Sequence, residues 1–149
     1  MITSGIPGRI KYINGSVSVP EAGGLRYILQ FVGENGVYPE KEVAVNKRWP
    51  KVSQQYRQLY LEKHGKLTVG NIQTVAVQSD TIVVNMIVLS NNKLDLNSLN
   101  KCLENIININ KTDTGSIHIA KYGTVKQWKD IEKSLGLLTK AGLNVVVYQ

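Results

Sequence analysis

The sequence predicts an α/β fold, a three-layer α/β/α sandwich with a mixed, roughly six-stranded sheet. The first observation is a pair of runs rich in Val, Ile and Thr, residues 72–77 and 81–89, separated by polar residues 78–80. β-Branched side chains suit a pleated strand, and a three-residue polar connection favours an antiparallel hairpin. The second observation is that helix-period segments are interspersed with strand-like runs, an order typical of sheets packed between helices.

Each predicted strand is bounded by glycine, proline or polar residues. In chain order the predicted strands are residues 9–14, 25–32, 72–77, 81–89, 116–120 and 143–148. The run 81–89 is almost continuously apolar and is interrupted by Asn85. That pattern is expected of a strand covered on both faces, so this strand is placed in the middle of the sheet.

Apolar stripes with a period of 3.6 residues predict four helices. They cover residues 43–48, 50–64, 96–108 and 125–141. Pro50 separates the first two, because proline inside a helix lacks an N–H and clashes with the preceding turn, yet is tolerated at a helix start. Asp95 or Asn97 is expected to cap the third helix, and Thr124 the fourth.

Length and composition limit the functional class. At 149 residues the chain fits one domain, residues 1–149, which buries roughly two-thirds of its unfolded surface. Its 42% hydrophobic and 19% charged residues are ordinary for a soluble globular protein. No apolar run approaches the length of about 20 residues that spans a bilayer, and the N-terminus lacks a signal-peptide core. We expect a cytoplasmic protein, in the host cytoplasm if the chain is viral.

The cysteine and histidine content argues against metal chemistry. The lone cysteine, Cys102, excludes an internal disulfide framework, and the two histidines, His64 and His118, are too few for a histidine-rich metal site. We therefore expect neither a metal nor another cofactor. The net charge of +7 permits nucleic acid, a nucleotide or an acidic protein surface as partner, with a scattered, solvated basic surface as the alternative.

Short motifs spread from about Arg9 to Tyr148 resemble those of macrodomains. They are Ile13-Asn14-Gly15, Gly36-Val37-Tyr38, Lys47-Arg48-Trp49-Pro50, Gly70, Val84-Asn85-Met86-Ile87, residues 99–106 and residues 116–128. Their order is most similar to the branch of terminal ADP-ribose protein glycohydrolases and ADP-ribose-phosphate phosphatases. The resemblance implies a cleft for ADP-ribose or a related nucleotide at the carboxyl ends of the strands.

By this resemblance, three segments that follow predicted strands are the candidate ligand contacts. They are Gly15 and Ser16; Gly33, Glu34, Asn35, Gly36, Val37 and Tyr38; and Lys121, Tyr122, Gly123 and Thr124. The fold brings these strands side by side, so the three segments are expected to converge at one edge of the sheet.

Departures from the family pattern predict weak binding. Ser16 stands where the family has an acidic residue that holds adenine. Pro39-Glu40-Lys41 replaces a glycine-rich turn whose N–H groups would cradle phosphate. Pro39 removes one N–H, while Glu40 and Glu42 add negative charge where a diphosphate would lie. The lysine at the hairpin end and the acidic loop residue of the glycohydrolase branch have no counterpart here.

Three functional hypotheses follow. The first is a macrodomain that binds ADP-ribose or another nucleotide with little or no catalysis, a pseudoenzyme. The second is a macro-fold assembly protein with a lost pocket, for example a phage or viral accessory or virion component. The third is a divergent ADP-ribose hydrolase. No catalytic residue is assigned, because no nucleophile, base and orienting acid can be assembled from the loops at the strand ends.

Several polar and aromatic residues have a structural interpretation as well as a functional one. Trp49, Trp128 and Cys102 are expected in the core, and His118 is expected to be a tolerated strand residue. The basic run at residues 47–57 is the strongest local candidate for anion contact. A solvated helix face is the alternative for that run.

Overall fold

Within residues 7–149, which the computed structural model describes apart from the side chain of Lys41, a mixed sheet lies between two layers of helices. The strands are β1 (Ile10–Ile13), β2 (Arg26–Gly33), β3 (Ile72–Gln78), β4 (Thr81–Ser90), β5 (Lys93–Leu94), β6 (Ser116–Ala120) and β7 (Val145–Tyr148). The helices are α1 (Val43–Arg48), α2 (Lys51–Glu62), α3 (Leu96–Thr112) and α4 (Val125–Lys140), and a 3-10 turn, Glu40–Glu42, precedes α1. This confirms the predicted fold class.

The sheet is parallel except at one side. Its strands lie in the order β1-β7-β6-β2-β4-β3, and β5 pairs with the end of β4. β3 and β5 run antiparallel to β4, and the other neighbours are parallel. The predicted hairpin is therefore confirmed, with Gln73 opposite Asn85. Because parallel strands end at the same edge, the segments after β1, β2 and β6 come together there.

Two hydrophobic layers hold the helices on the sheet. On one face, Leu29 and Phe31 of β2 pack into a cluster with α3 and α4. On the other face, Ile28 packs with Val45 of α1 and Trp49. β4 is likewise buried along nearly all its length, as its continuous apolar run predicts.

The aromatic and thiol side chains that the sequence assigns to the core are buried there. Trp49 and Trp128 are both buried, and the Arg48 guanidinium lies 4.4 Å from the centre of the Trp49 ring. Cys102 is inaccessible to solvent, and its thiol lies 3.4 Å from the carbonyl oxygen of Asn71. Burial raises the pKa of the Cys102 thiol to about 12, so the thiol stays protonated and unreactive at neutral pH.

Helices α3 and α4 begin at the predicted capping residues, but α3 ends later than predicted. Thr124 caps α4 in a reciprocal capping box, and the Asp95 carboxylate accepts the Asn97 N–H at the start of α3. α3 continues to Thr112, past the predicted end at residue 108, because buried Asn110 donates to the Gly115 carbonyl at 2.9 Å and fastens the last turn. Among residues 7–149, no helix combines the length and apolarity needed to cross a membrane.

Candidate functional site

A cleft of about 230 Å³ lies at the edge of the sheet where β1, β6 and β7 end. It is lined by Gly15, Ser16, Val17, Gln30, Glu42, Ala44, Val45, Ala120 and Tyr148. Pockets that enclose a complete drug-sized ligand are usually about 300–1,000 Å³. The cleft therefore has room for a base or nucleoside, and a ligand as large as ADP-ribose would extend beyond it.

Two buried polar side chains, Gln30 and Glu42, form one wall of the cleft. The Gln30 side-chain oxygen accepts a 2.6 Å hydrogen bond from the Tyr38 hydroxyl. The Glu42 carboxylate accepts the N–H of Phe31 at 3.3 Å. Phe31 lies beyond the last residue of β2 that pairs with β6, so the carboxylate satisfies an amide where the neighbouring strand has already turned away. Burial, together with the nearby Glu42 charge, raises the pKa of Tyr38.

Tyr148 forms the floor of the cleft and is held by a buried hydrogen-bond chain. Its hydroxyl accepts the backbone N–H of Glu21 at 2.8 Å and shares a 2.7 Å hydrogen bond with Nδ1 of His118. Nε2 of His118 lies 2.7 Å from the Ser116 hydroxyl. Burial, with a smaller effect of the Arg26 charge, lowers the pKa of His118 to about 4, so the imidazole is neutral at pH 7. His118 is thus a fully buried support of the cleft, a role beyond the tolerated strand residue that the sequence predicts.

We expect the protein to lose stability as the pH falls from about 6.5 to about 4. In that interval an unfolded histidine, with its ordinary pKa of 6.5, binds a proton that folded His118 excludes. The stabilisation present above pH 6.5 is therefore lost progressively on acidification, by up to about 3 kcal/mol. Urea unfolding of the wild type and of His118→Gln at pH 7.0, 5.5 and 4.5 measures this. The difference in unfolding free energy between the two proteins should shrink as the pH falls. Parallel pH profiles for the two proteins would contradict the pKa assigned to His118.

The loop between β1 and β2, which carries Ser16, is fixed by two arginines. Arg26 donates to the carbonyl oxygens of Pro20 and Ala22 at 3.0 and 3.2 Å, and Arg48 donates to the carbonyl of Ser18. The Ser16 hydroxyl lies 2.6 Å from the Ser18 hydroxyl and accepts the Ser18 N–H at 3.2 Å. Ser16 therefore contributes a hydroxyl that is already hydrogen-bonded within its own loop.

The segment from Gly33 to Tyr38 uses its polar groups internally. The Glu34 N–H donates to the Leu89 carbonyl, and the Glu34 carboxylate accepts the Ser90 hydroxyl at 3.1 Å. The side chain of Asn35 accepts the Val37 N–H at 3.1 Å. These contacts use the N–H groups of Glu34 and Val37, which a phosphate would need, and one oxygen of the Glu34 carboxylate. The segment is therefore a turn held by hydrogen bonds within itself and to the end of β4.

The remaining residues of that segment pack against α2. The Gly36 N–H donates to the Tyr56 hydroxyl at 3.1 Å, and that hydroxyl donates to the Gly33 carbonyl. The Tyr38 ring lies edge-on to Tyr56, while the Val37 side chain is exposed. The segment thus lies over α2.

The segment 121–124 before α4 is also anchored to its surroundings. The Lys121 N–H donates to the Tyr148 carbonyl at 2.9 Å, and the Tyr122 ring stacks on Phe31 with centroids 4.4 Å apart. Gly123 takes a φ of +77° at the turn. The Thr124 N–H donates to the side chain of Gln127 at 2.9 Å, so the start of α4 is capped by the chain itself.

The structure brings the three predicted segments to one edge of the sheet. Gly15 and Ser16 line the cleft, Tyr38 donates to Gln30 in its lining, and residues 121–124 follow Ala120, which also lines it. Ligand contact by these segments stays a prediction. Sequence reasoning missed Gln30 and Tyr148 as lining residues, whereas it placed Glu42 near the ligand as an unfavourable charge. Gln30 could have been identified from the sequence, because it is a glutamine within the apolar run of β2. Among residues 7–149, no group of three or more His, Cys, Asp and Glu side chains is arranged to hold a metal ion.

No protein-family model and no curated protein matches the chain, but solved structures do. A macrodomain protein from Streptomyces coelicolor is 23% identical with a TM-score of 0.87, covering 94% of this chain and 98% of that one. The macrodomain of Mycobacterium tuberculosis DarG is 19% identical with a TM-score of 0.73, covering 95% and 97%. A Trypanosoma brucei macrodomain in complex with ADP-ribose is 13% identical with a TM-score of 0.60, covering 93% and 63%. The chain therefore has the macrodomain fold.

Proposed function

We propose that this chain binds ADP-ribose or a related nucleotide weakly and has little or no catalytic activity. The observation that carries the proposal is the cleft at the carboxyl ends of the strands, which has room for a base or nucleoside between Ser16, Gln30 and Tyr148. Ligands of open α/β sheets bind at this edge. The T. brucei macrodomain with the same fold was solved in complex with ADP-ribose.

Weak affinity is argued from the groups that would meet the ligand. A serine in place of a carboxylate at residue 16 loses a charge-assisted hydrogen bond, worth about 1.5–3 kcal/mol. The N–H groups of Glu34, Gly36 and Thr124 already have partners inside the protein and so are unavailable to phosphate. Each lost phosphate contact removes on the order of 1 kcal/mol, which together moves a micromolar site toward millimolar.

Absent or very slow turnover is argued from the candidate bases. The Glu34 carboxylate is hydrogen-bonded to Ser90, and the imidazole of His118 is inaccessible to solvent beneath Tyr148. The Cys102 thiol is buried on α3 and protonated. None of these side chains can reach a ligand in the cleft as an activated base or nucleophile.

The test is a chemical-shift titration with ADP-ribose and, separately, adenosine at low salt. We expect millimolar dissociation constants for both, with shifts centred on the cleft, and no turnover of ADP-ribosylated protein or ADP-ribose 1″-phosphate. Ala120→Phe places a ring in the cleft and should abolish the shifts, whereas Ala76→Phe, at an exposed position of β3, should leave them unchanged. Micromolar binding or ready turnover would contradict the proposal.

One observation favours the assembly hypothesis as a second candidate. β3 is an edge strand of the sheet, its sequence IQTVAVQ has no charged residue, and its Thr74 and Ala76 are exposed. Uncharged edge strands are templates for pairing with another chain. Undetectable nucleotide binding, together with concentration-dependent association in sedimentation, would place this role ahead of ligand binding.

A further inference from the structure

We propose that the outer surface of α1 and α2 binds the phosphate backbone of nucleic acid. This surface, the basic face, consists of Lys47, Arg48, Lys51 and Arg57 on the two helices, continued by Lys63 and Lys66 in the loop after α2. The inference is independent of the cleft and of any nucleotide bound there.

The positive charge of the protein is concentrated in this segment. Residues 43–66 contain six Lys or Arg and one Glu, which gives the segment a net charge of +5 out of +7 for the whole chain. A single-sign cluster of this density raises the local potential and attracts polyanions. Residues 121–140, in and before α4, carry five Lys against one Asp and one Glu, a net charge of +3, so residues 43–66 are the larger of two basic segments.

The cations of the basic face are available to a partner. All six are exposed. The ion pairs found among residues 7–149 are Lys11–Glu21 and Arg26–Asp80, and neither involves the basic face. Cations without a carboxylate partner can neutralise phosphates, and the cations condensed on the nucleic acid are then released, which drives binding.

The geometry of α2 suits an extended polyanion. Val52 and Tyr56 point into the core, so the opposite side of the helix, with Arg57, faces solvent. Lys51 begins α2, and Lys63 follows its last residue and lines a groove with Lys66 and Leu67, so the cations lie along a helix of 12 residues, about 18 Å long, and around its carboxyl end. That length matches about five phosphates of one strand at 3.4 Å spacing.

Arg48 adds a cation whose position is fixed. Its guanidinium packs over the Trp49 ring and donates to the Ser18 carbonyl. A side chain already held in place loses less rotamer freedom when it meets a phosphate. Arg48 also ties the basic face to the loop that bounds the cleft.

The composition of the basic face fits nucleic acid better than a protein partner. Protein interfaces have an apolar centre and are depleted in lysine, whereas nucleic-acid interfaces are polar and strongly positive. Over α1 and α2, the large exposed apolar residues are Val43, which begins α1, and Leu61, near the end of α2. One valine and one leucine are too little for an apolar interface core.

The test compares two variants of equal net charge. Fluorescence anisotropy of a labelled 20-base-pair DNA duplex, and of the same single strand, is measured from 25 to 200 mM salt. The face variant is K47Q/K51Q/R57Q/K63Q, which spares Arg48 because of its contacts with Trp49 and Ser18. The control variant, K126Q/K129Q/K133Q/K140Q, removes four exposed lysines of α4, on the opposite side of the sheet.

We expect wild-type binding with a steep salt dependence. At 50 mM salt the face variant should bind at least about 30-fold more weakly, and its log–log salt slope should fall by about 3–4, since each lost phosphate contact removes about 0.9. The control variant should stay within about threefold of wild type. Equal losses in both variants, or competition by polyglutamate as strong as that by DNA, would overturn the proposal. So would the absence of binding at 25 mM salt. Unchanged thermal melting shows that both variants fold.

Discussion

Replacing Phe31 with alanine is expected to lower the free energy of unfolding by about 3–5 kcal/mol. The Phe31 side chain is almost fully buried in the cluster between the sheet and α3 and α4. It also stacks on Tyr122 with ring centroids 4.4 Å apart and an interplanar angle of 15°. The alanine variant therefore loses both the buried area and an aromatic pair worth about 0.5–1.5 kcal/mol beyond area.

Urea unfolding of four proteins separates these two contributions. They are the wild type, Phe31→Ala, Tyr122→Ala and the double variant, and the coupling energy between the rings should be about 0.5–1.5 kcal/mol. Phe31→Leu keeps most of the volume and should cost clearly less than Phe31→Ala. A loss below about 1 kcal/mol for Phe31→Ala would show that the cluster is looser than the structure indicates.

The same pair joins the fold to the candidate site. Tyr122 lies in the loop between β6 and α4, and Phe31 donates its N–H to Glu42, which lines the cleft. The ring stack thus fixes the loop that carries the candidate ligand contacts 121–124. Substituting Phe31 should alter chemical shifts at Glu42 and at residues 121–124 together.

Most of the fold could be predicted because its elements are long and strongly periodic. The two runs of the hairpin and the apolar stripes of α3 and α4 place each element by local pattern alone. β5 was missed because a strand of two residues, Lys93–Leu94, has no period to detect, and it exists only through pairing with Leu89 and Ser90. The end of α3 depends on a side-chain contact of Asn110, which propensity does not record.

The candidate site was less predictable because its lining is set by contacts distant in sequence. The sequence predicts Glu42 as a negative charge near a diphosphate, but not its partner: the 3-10 turn before α1 directs its carboxylate to the Phe31 N–H. Tyr148 and His118 are 30 residues apart and become one hydrogen-bond chain only when β6 and β7 pair. Local pattern specifies residue types here, whereas the sheet register decides which of them meet.

Gly36→Ala is expected to lower the free energy of unfolding by about 2–5 kcal/mol, the sum of two effects. Gly36 has a φ of +78°, where a residue with a side chain is strained by about 1–2 kcal/mol. A Cβ at this position would lie 2.5 Å from the Tyr60 ring, and relieving such overpacking costs a further 1–3 kcal/mol or so. The substitution also strains the turn whose N–H donates to the Tyr56 hydroxyl.

Gly24→Ala is the matched control for this substitution. Gly24 has nearly the same φ, +79°, but a Cβ added there would meet no atom within 4 Å, so the backbone strain of about 1–2 kcal/mol should be the whole effect. In a Tyr60→Ala background the cost of Gly36→Ala should fall to the same 1–2 kcal/mol or so, because the ring is gone. Equal costs for Gly36→Ala and Gly24→Ala in the wild type would contradict the packing argument. The expected difference would show that Gly36 is needed for close contact with the Tyr60 ring. Packing then explains a glycine at this position without a phosphate ligand.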